Sequence, residues 1–406
     1  MPERKEGVVP RLRFPEFRNA GEWEVKKIVD IFRVTRGEVL SMKLVSESYS
    51  TETPYPVYSS QTKNNGLSGY YSDYLYEDAI TWTTDGANAG DVKYRKGKFY
   101  CTNVCGVLIS EDGYANSFVA ELLNTVTKKH VSYVGNPKLM NGVMAQIQIP
   151  FPQIKEQQKI ADCLSSLDEV IELEAQKLEA LKTHKKGLMQ QLFPREGETT
   201  PHLRFPEFRD AGPWEVKSIK ELSDKVTQGG TPNTSINEYW DGDIPWITPA
   251  EMGNDAEYHY IANTNRTISM LGLKNSSAEL LPKNSVIISS RAPIGYVAIN
   301  KLEMATNQGC KGIIPKVDVY YDFLYFCLLN AQRHLNDLGA GAGFKELSTS
   351  VLKKFQIPVP KLPEQQKIAD CLSSLDRVIE LEAQKLEALK AHKKGLLQQL
   401  FPQEVD

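Results

Sequence analysis

The sequence has few cysteines, no long apolar run and no excess of charge of either sign. Six cysteines are spread over 406 residues and none belongs to a Cys-x-x-Cys pair, which argues against a disulfide framework and a structural zinc site. No run of about 18 apolar residues is present, so the sequence predicts no membrane span. The 48 basic and 51 acidic residues give a net charge of −3, so bulk charge does not by itself indicate nucleic acid as a partner.

The length and composition set further limits. At roughly 100–200 residues per domain, the chain is expected to contain two to four domains. A hydrophobic fraction of 41% and a charged fraction of 24% are typical of globular proteins. No apolar stretch follows residues 1–5, so we expect no signal peptide and a cytoplasmic location.

A long internal repeat is the most informative feature of the sequence. Residues 156–194 and 364–402 match at 36 of 39 positions. A second repeated block, Leu-Arg-Phe-Pro-Glu-Phe-Arg, begins at residues 12 and 203. Two copies are too few for a solenoid, which needs at least three, so the repeat predicts two halves related by a pseudo-twofold.

Each long repeated block has the pattern of a coiled-coil helix. Apolar residues recur at alternating steps of four and three, the spacing that keeps one stripe facing a partner helix, and Glu174 and Lys185 interrupt the stripe in the first copy. We predict that the two helices pair antiparallel within the chain; packing of each helix on a globular core is the alternative. The predicted seam and partner interface comprises Ile160, Leu164, Leu167, Ile171, Leu178, Leu181, Leu188, Ile368, Leu372, Leu375, Ile379, Leu386, Leu389 and Leu396.

The segments between the repeated blocks have a different sequence pattern from the blocks themselves. They contain turn signals, short apolar runs typical of strands, and one helical stretch each, near residues 118–126 and 321–335. The sequence therefore predicts an α+β fold with two globular α/β heads separated by two long helices paired as an antiparallel coiled coil. The expected boundaries are a first head at 1–152, a first helical region at 153–197, a second head at 198–360 and a second helical region at 361–406. Near-identical helices with unlike heads indicate one role for the helices and a different target for each head.

Several phrases resemble the specificity subunit of type I restriction-modification systems, and the resemblance covers essentially the whole chain. They are Pro-Glu-Gln-Gln-Lys-Ile-Ala at 363–369, Gly-Gly-Thr-Pro at 229–232, Ser-Arg-Ala-Pro-Ile-Gly at 290–295 and Gly-Ala-Gly-Phe-Lys at 341–345. The first head departs from these motifs and has Lys155 where the second copy has Pro363.

The resemblance implies a non-catalytic DNA-recognition subunit. Each head would be a target recognition domain that reads one half of a bipartite site on double-stranded DNA. The paired helices would set the spacing and dock two modification (methyltransferase) subunits, and restriction subunits would add nuclease and translocase activities. The assembled complex would be a DNA adenine methyltransferase and ATP-dependent endonuclease. S-adenosylmethionine, ATP and magnesium would bind those partners, and we expect no cofactor and no metal in this chain.

In the second head, side chains suited to base or phosphate contact lie in turns that follow apolar strands. Arginine pairs bidentately with guanine, and side-chain amides pair with adenine. For Arg291 the alternative is a surface ion pair with a carboxylate or a phosphate contact, and for Asn307 it is turn capping. Glycines at 339, 341 and 343 indicate a flexible loop rather than a nucleotide cradle. The candidates are Ser290, Arg291, Thr306, Asn307, Gln308, Lys311 and Lys345.

In the first head, a polar loop, a Thr-Asn pair and a basic cluster are the candidates. The loop supplies Ser59, Ser60, Gln61, Asn64 and Asn65, and a solvated turn is the alternative interpretation. Thr102 and Asn103 look like the counterpart of the Thr-Asn pair in the second head. Lys93, Arg95 and Lys96 are candidates for phosphate contact, with a solvated hairpin as the alternative.

Catalytic interpretations find little support. The Asn/Asp-Pro-Pro-Tyr/Phe signature of methyltransferases is absent, and the six histidines lack metal-ligand spacing. Two other functions stay open at this stage. Beside the specificity subunit, these are a DNA-binding adaptor of another modification system and a coiled-coil scaffold with two protein-binding heads.

Overall fold

The computed structural model describes residues 8–60, 63–252, 260–291, 293–339 and 346–402. The chain divides into two compact units. The first unit comprises Met1–Leu173 and Glu387–Asp406, and the second comprises Glu174–Leu386. Each unit therefore contains one head and a part of both long helices. In the described ranges, no helix combines the length and the apolar character needed to cross a membrane.

The head of the first unit is an α/β structure. Its strands are β1 (Glu24–Lys27), β2 (Arg33–Arg36), β3 (Tyr55–Tyr58), β4 (Leu67–Tyr71), β5 (Tyr76–Thr83), β6 (Val92–Cys101), β7 (Cys105–Ile109) and β8 (Gln148–Phe151), and its helices are α1 (Ile28–Ile31), α2 (Ser117–Val126) and α3 (Asn141–Gln146). One sheet has the order β2-β7-β5-β6-β3-β4, and β1 pairs antiparallel with β8. Short 3-10 turns span Pro15–Phe17, Met42–Leu44 and Thr127–His130, and residues 63–66 form a turn with left-handed φ at Asn64 and Asn65.

The core of the first unit is formed by the sheet, α2 and the ends of the long helices. The Asn116 side chain accepts a hydrogen bond from the Val119 N–H at 3.0 Å, which caps α2 and starts it where the sequence predicted a helix. Phe118 of α2 packs against Trp23 and Phe401, with ring centroids 5.7 and 5.4 Å apart. The helix thereby ties β1 and the end of the second repeat into one core.

The head of the second unit repeats this plan with different strands. They are β9 (Glu215–Ser218), β10 (Ser223–Gln228), β11 (Trp240–Ile247), β12 (Tyr260–Ile261), β13 (Thr267–Ile268), β14 (Val286–Ser289), β15 (Val297–Asn300), β16 (Ala305–Thr306), β17 (Cys310–Pro315) and β18 (Gln356–Val359). The main sheet has the order β10-β17-β14-β15-β12, a smaller one has the order β13-β11-β16, and β18 pairs with β9. Short 3-10 turns span Pro206–Phe208 and Asn237–Tyr239.

The helices of the second head are α5 (Ile219–Leu222), α6 (Pro249–Met252), α7 (Met270–Lys274), α8 (Tyr321–Asn330), α9 (Gln332–Leu338) and α10 (Thr349–Lys354). The helix predicted near 321–335 is therefore present as two helices with a break at Ala331. Helix α8 is almost wholly buried, and Phe323 packs against Phe193 and Trp214 with centroids 5.6 and 5.8 Å apart. This aromatic group joins the head to the end of the first repeat.

The repeated blocks form the helices α4 (Ile154–Leu192) and α11 (Leu362–Leu400), each of 39 residues and about 58 Å long. Within the second unit, Lys385 pairs with Glu174 and Lys177 with Glu382, both at 2.5 Å. Moving along α4 from Glu174 to Lys177, the partner on α11 moves back from Lys385 to Glu382, so the two helices are antiparallel. Lys185, one of the two residues that interrupt the apolar stripe, pairs with Asp376 in the same unit.

The first unit contains the counterpart of the last of these pairs. Lys393 lies 2.7 Å from Asp168 and 3.5 Å from Glu121 of α2. Lys393 and Asp168 are the repeat equivalents of Lys185 and Asp376, so both copies use the same cross-helix pair. The predicted antiparallel pairing is confirmed in each unit.

The predicted seam is withdrawn from solvent throughout. Every residue of the seam is buried or half-buried, including Leu178 and Leu386 near the middle of the helices. Both interpretations of the apolar stripe apply: the helices pair with each other, and their ends also pack into the cores of the heads. Ile160 and Leu164 belong to the core of the first unit, and Ile368 and Leu372 to the core of the second.

The repeated Leu-Arg-Phe block docks each head onto its own helix. The guanidinium of Arg13 makes two hydrogen bonds to Glu156, at 2.6 and 2.7 Å, in the first unit. Arg204 makes the same two hydrogen bonds to Glu364, both at 2.7 Å, in the second unit. All four side chains are nearly buried, and a buried bidentate pair fixes direction as well as position. This contact explains why the short block and the helical block are repeated together.

Candidate nucleic-acid interface

In the first unit, the loop after β2 packs against the turn after β6. A Cβ atom on Gly37 would lie 2.2 Å from the Cys101 carbonyl oxygen, so only glycine allows this approach. The Thr102 N–H donates to the Tyr58 carbonyl at 3.0 Å, and the Thr102 hydroxyl donates to Ser59 at 3.1 Å. The segments that follow β2, β3 and β6 thus meet at one place, which brings the candidates Ser59 and Thr102 into contact.

Arg95, a candidate for phosphate contact, is buried in the first head. Its side chain is 6% exposed, and the guanidinium stacks 3.7 Å from the centroid of the Tyr58 ring. It also donates to the Thr81 hydroxyl at 3.1 Å and to the Asn65 carbonyl at 2.8 Å. Burial lowers the pKa of the Arg95 guanidinium from its ordinary value. The ring and the loop enclose the charge of Arg95, and the predicted phosphate contact of this side chain stays a prediction.

The loop that Arg95 holds is the amide-rich one. Asn64 and Asn65 are both exposed, and both adopt positive φ, at 49° and 56°. Asparagine tolerates this left-handed conformation better than most side chains do. The Ser59 N–H donates to the Gly66 carbonyl at 3.0 Å and closes the loop. The loop thus presents two amides to solvent from a fixed backbone, while the predicted candidate Gln61 lies outside the described residues.

The other candidates of the first head vary in exposure. Asn103, Lys93 and Lys96 are exposed, and Ser60 is half-buried, so these side chains can reach a ligand. Thr102 is buried and serves the turn through its hydroxyl. Of the predicted basic cluster, Lys93 and Lys96 are therefore exposed to solvent, whereas Arg95 is buried.

In the second unit, the loop after β10 packs against the turn between β16 and β17. A Cβ atom on Gly229 would lie 1.8 Å from the Asn307 carbonyl oxygen. The Gly230 N–H donates to the Thr306 carbonyl at 2.8 Å, and the Trp246 indole donates to the Gly230 carbonyl at 2.9 Å. Gly229 thus stands where Gly37 stands in the first unit, and Thr306 and Asn307 stand where Cys101 and Thr102 stand. The predicted likeness of the two Thr-Asn turns holds to within one residue.

Asn307 caps the turn. Its side-chain oxygen accepts a hydrogen bond from the Gly309 N–H at 2.9 Å, which is the alternative weighed for it from the sequence. Thr306 is buried, whereas Gln308 is exposed and bonded through its side-chain oxygen to the Thr231 hydroxyl. Of this turn, Gln308 is the side chain presented to solvent.

A group of three charges lies at the same end of the main sheet. Lys311 on β17 is 1% exposed, and its Nζ lies 3.5 Å from Glu346 Oε1. The other oxygen of Glu346 lies 3.2 Å from the NH2 atom of Arg291, which is about half exposed. Burial lowers the pKa of the Lys311 ammonium, and the Glu346 carboxylate opposes that shift. The fold encloses the Lys311 side chain, and its predicted DNA contact stays a prediction.

Two further candidates of the second head do not face solvent or are not described. Ser290 is fully buried, and its hydroxyl has no hydrogen-bond partner among the described residues. Lys345, with the glycines at 341 and 343, lies outside the described residues. Within the ranges that the structure describes, no group of three or more histidine, cysteine, aspartate or glutamate side chains is placed to hold a metal ion.

Comparison with known proteins identifies the family. The family model for the type I restriction modification DNA specificity domain matches residues 20–183 and 212–391, which is most of the chain and one match for each half. The chain belongs to this family. The two matches agree with the internal duplication that the sequence repeat and the equivalent Gly37 and Gly229 contacts display.

Curated relatives carry the same description. The type I restriction enzyme MjaIX specificity subunit of Methanocaldococcus jannaschii is 45% identical over 179 residues, which are 44% of this chain and 41% of that protein. The chain thus aligns with less than half of that relative. The putative type I specificity subunit S.MpnORF507P of Mycoplasma pneumoniae is 29% identical over 353 residues, covering 86% of this chain and 88% of the relative.

Solved structures share the fold. The type I restriction-modification S subunit of M. genitalium superposes with a TM-score of 0.65 at 17% identity, covering 98% of this chain and all of that one. A chain from a type I system, solved to explain complex assembly and conformational transition, gives a TM-score of 0.57 at 14% identity and covers 94% of this chain and 98% of that one. The predicted α+β fold with paired helices is thereby confirmed for this specificity-domain protein.

Sequence reasoning missed Arg36 and Glu346 of the specificity domains. Arg36 ends β2, is exposed, and donates to the Asn103 carbonyl at 2.7 Å. It occupies the position that Gln228 occupies in the second unit, directly before the close-approach glycine. Arg36-Gly37 and Gln228-Gly229 lie 192 residues apart in the two halves, and aligning them in the sequence could have identified Arg36. Glu346 gave no signal, since its partners are 35 and 55 residues away along the chain.

Proposed function

We propose that this chain is the sequence-recognising subunit of a type I restriction-modification complex, in which each head reads one half of a bipartite DNA site. One observation carries the proposal most directly. The two heads build the same glycine-to-turn contact, at Gly37 and Gly229, yet surround it with different exposed side chains. A shared frame with unlike surfaces is what two readers of different sequences require.

The chemistry of the exposed side chains supports base readout. Amides and guanidinium groups match the hydrogen-bonding edges of adenine and guanine in the major groove. The first head offers Asn64, Asn65, Asn103 and Arg36, and the second offers Gln308 and Arg291. Exposed Lys93 and Lys96 suit the phosphate backbone, which positions a protein without reading sequence.

The helices suit a structural and docking role. Because α4 and α11 are nearly identical in sequence, they offer the same residues twice, which suits two copies of one modification subunit. Restriction subunits would complete the complex in the cytoplasm. S-adenosylmethionine, ATP and magnesium would bind those partners, and this chain would contribute recognition without reaction chemistry of its own.

Selection from a randomised duplex library tests the proposal. The full chain, purified with the subunits that accompany it, is incubated with 40-base-pair random duplexes and the retained DNA is sequenced. We expect two short blocks of fixed sequence separated by a gap of constant length and no fixed sequence. A single contiguous block, or no enrichment, would contradict the proposal.

A further inference from the structure

We propose that Glu346 and Lys311 are positioning residues that orient the Arg291 guanidinium for bidentate recognition of a guanine in the half-site read by the second head. The inference rests on the proposed function and adds a base, a reading residue and the two groups that hold it. Glu346 stands at the centre, with one carboxylate oxygen 3.5 Å from the Lys311 ammonium and the other 3.2 Å from the Arg291 guanidinium.

The backbone places these three residues side by side. In the ladder between β14 and β17, Lys311 lies opposite Ile288, and in the ladder between β10 and β17 it lies opposite Gln228. Lys311 therefore sits on a strand with neighbours on both sides. Beyond the end of β14, the Leu347 N–H donates to the Ser290 carbonyl at 2.8 Å, and Arg291 bridges Glu346 in antiparallel fashion. Arg291 and Glu346 are thus cross-strand neighbours, whose side chains meet directly.

The buried lysine fixes the carboxylate. An ammonium group enclosed in the protein needs a counter-charge, since an unpaired buried charge is strongly destabilising. Glu346 supplies that charge, so the carboxylate cannot swing into solvent without leaving Lys311 unpaired. A carboxylate held at one oxygen offers its second oxygen in a constant direction.

The fixed carboxylate then orients the arginine. A guanidinium has five N–H donors, and the Glu346 contact engages one nitrogen of Arg291, NH2. Donors remain for the N7 and O6 acceptors of guanine, whose recognition depends on the plane of the guanidinium. Contact with a phosphate depends above all on positive charge, and the Glu346 carboxylate 3.2 Å away partly neutralises the charge of Arg291. The acidic partner therefore favours base readout.

The test compares variants of the full chain, purified with its accompanying subunits, by selection from the randomised duplex library. Glu346→Gln removes the charge with little change of shape, and Arg291→Lys keeps the charge but loses the fork. Each is expected to relax one guanine position in the half-site of the second head by about 5- to 150-fold. The double variant should lose no more than Arg291→Lys alone, because both changes remove one contact. Glu279→Gln, which breaks the exposed Lys225–Glu279 pair in the same unit, is the matched control and should leave the consensus intact.

The outcomes separate this inference from the proposed function. A wild-type chain that selects no bipartite site would overturn both. A wild-type consensus that Glu346→Gln and Arg291→Lys leave unchanged would overturn the inference alone. Weaker binding to every duplex, without relaxation at one position, would assign Arg291 to a phosphate and overturn it as well. If Glu346→Gln does not fold, Glu346→Asp takes its place: the shorter side chain keeps a negative charge for Lys311 but withdraws the oxygen that orients Arg291, so the same relaxation is expected.

Discussion

Arg95 and Lys311 are basic side chains that the fold withdraws from solvent, one in each head. Each is enclosed by groups that lie far away along the chain: Tyr58 and Asn65 for Arg95, and Glu346 for Lys311. Each also supports a segment with exposed polar groups. Under the proposed function, each buried cation would act on recognition by fixing the exposed segment beside it.

Replacing Arg95 separates these two roles. Arg95→Met removes the ring stacking and both hydrogen bonds, and we expect a loss of about 2 kcal/mol in the free energy of unfolding. Selectivity at the first half-site should fall, since the Asn64–Asn65 loop loses its anchor. Urea denaturation and duplex selection measure the two effects.

Lys96→Met is the matched control on the same strand. Its side chain is exposed, so stability should change by no more than about 0.5 kcal/mol. If it contacts a phosphate, binding should weaken for all sequences and the salt dependence should fall by about one charge. Equal stability losses in both variants would refute the anchoring role of Arg95.

The close approach of Gly229 to the Asn307 carbonyl supplies a second prediction. A methyl group at 1.8 Å from a backbone oxygen must displace the turn, so Gly229→Ala should cost about 1–3 kcal/mol of stability and impair readout of the second half-site. Gly187→Ala is the control, because a Cβ atom there meets nothing within 4 Å and alanine favours the helix by about 1 kcal/mol. Thermal unfolding of both variants gives the comparison, and a stable, fully selective Gly229→Ala would contradict the turn as the site's frame.

At these sites the sequence predicted the residue types better than their roles. The candidate turns at Thr102 and Thr306 are in place, and Asn307 adopts the capping role that was weighed against base contact. The burial of Arg95 and Lys311 could not be predicted, because it depends on partners that lie 30 to 37 residues away along the chain. Glu346 was missed for the same reason.

At the scale of the helices, the sequence was far more informative. The apolar stripe of α4 and α11 is a local, periodic signal, and it predicted both the helices and their burial. The role of the polar residues that interrupt the stripe becomes clear only when the two helices are paired. Glu174 meets Lys385, and Lys185 meets Asp376, so the interruptions specify an antiparallel partner in a defined register.

The Glu174–Lys385 pair predicts how acid affects helix pairing. The hydrogen bond from Lys385 holds the pKa of the Glu174 carboxyl below its ordinary value of 4.5. A carboxyl whose pKa is depressed on folding stabilises the folded state above that ordinary value, and the contribution is lost as the pH falls through the folded-state pKa. Glu174→Gln should therefore lower the urea midpoint at pH 7 and have a vanishing effect in strong acid.

Glu179→Gln provides the comparison within the same helix. Glu179 pairs with Lys182 three residues later, at 3.5 Å, and such exposed pairs contribute little. Its urea midpoint should match the wild type across the pH range. A pH-independent loss in Glu174→Gln would show that the carboxylate acts through packing and not through its charge.

At the scale of the whole molecule, the proposed function assigns the gap between the two half-sites to the length of the paired helices. Inserting Leu-Glu-Ala-Gln after Gln176 and after Gln384 lengthens each helix by about 6 Å. Four residues are close to one helical turn of 3.6, so the apolar stripe is nearly preserved. At about 3.4 Å per base pair, we expect the gap to widen by one or two base pairs with both half-sites unchanged. Methylome sequencing reports both, and an unchanged gap in an active variant would show that helix length does not set the spacing.

The independence of the two heads is the central claim, and an exchange of one head tests it most directly. Residues 20–150 are replaced by the corresponding segment of another family member, which leaves α4, α11 and the second head in their native sequence. Methylation mapping in cells then reads the target of the hybrid. We predict that one half-site changes, while the other half-site and the gap length stay as in the wild type. A change in both half-sites, or in neither, would contradict the assignment of one half-site to each head.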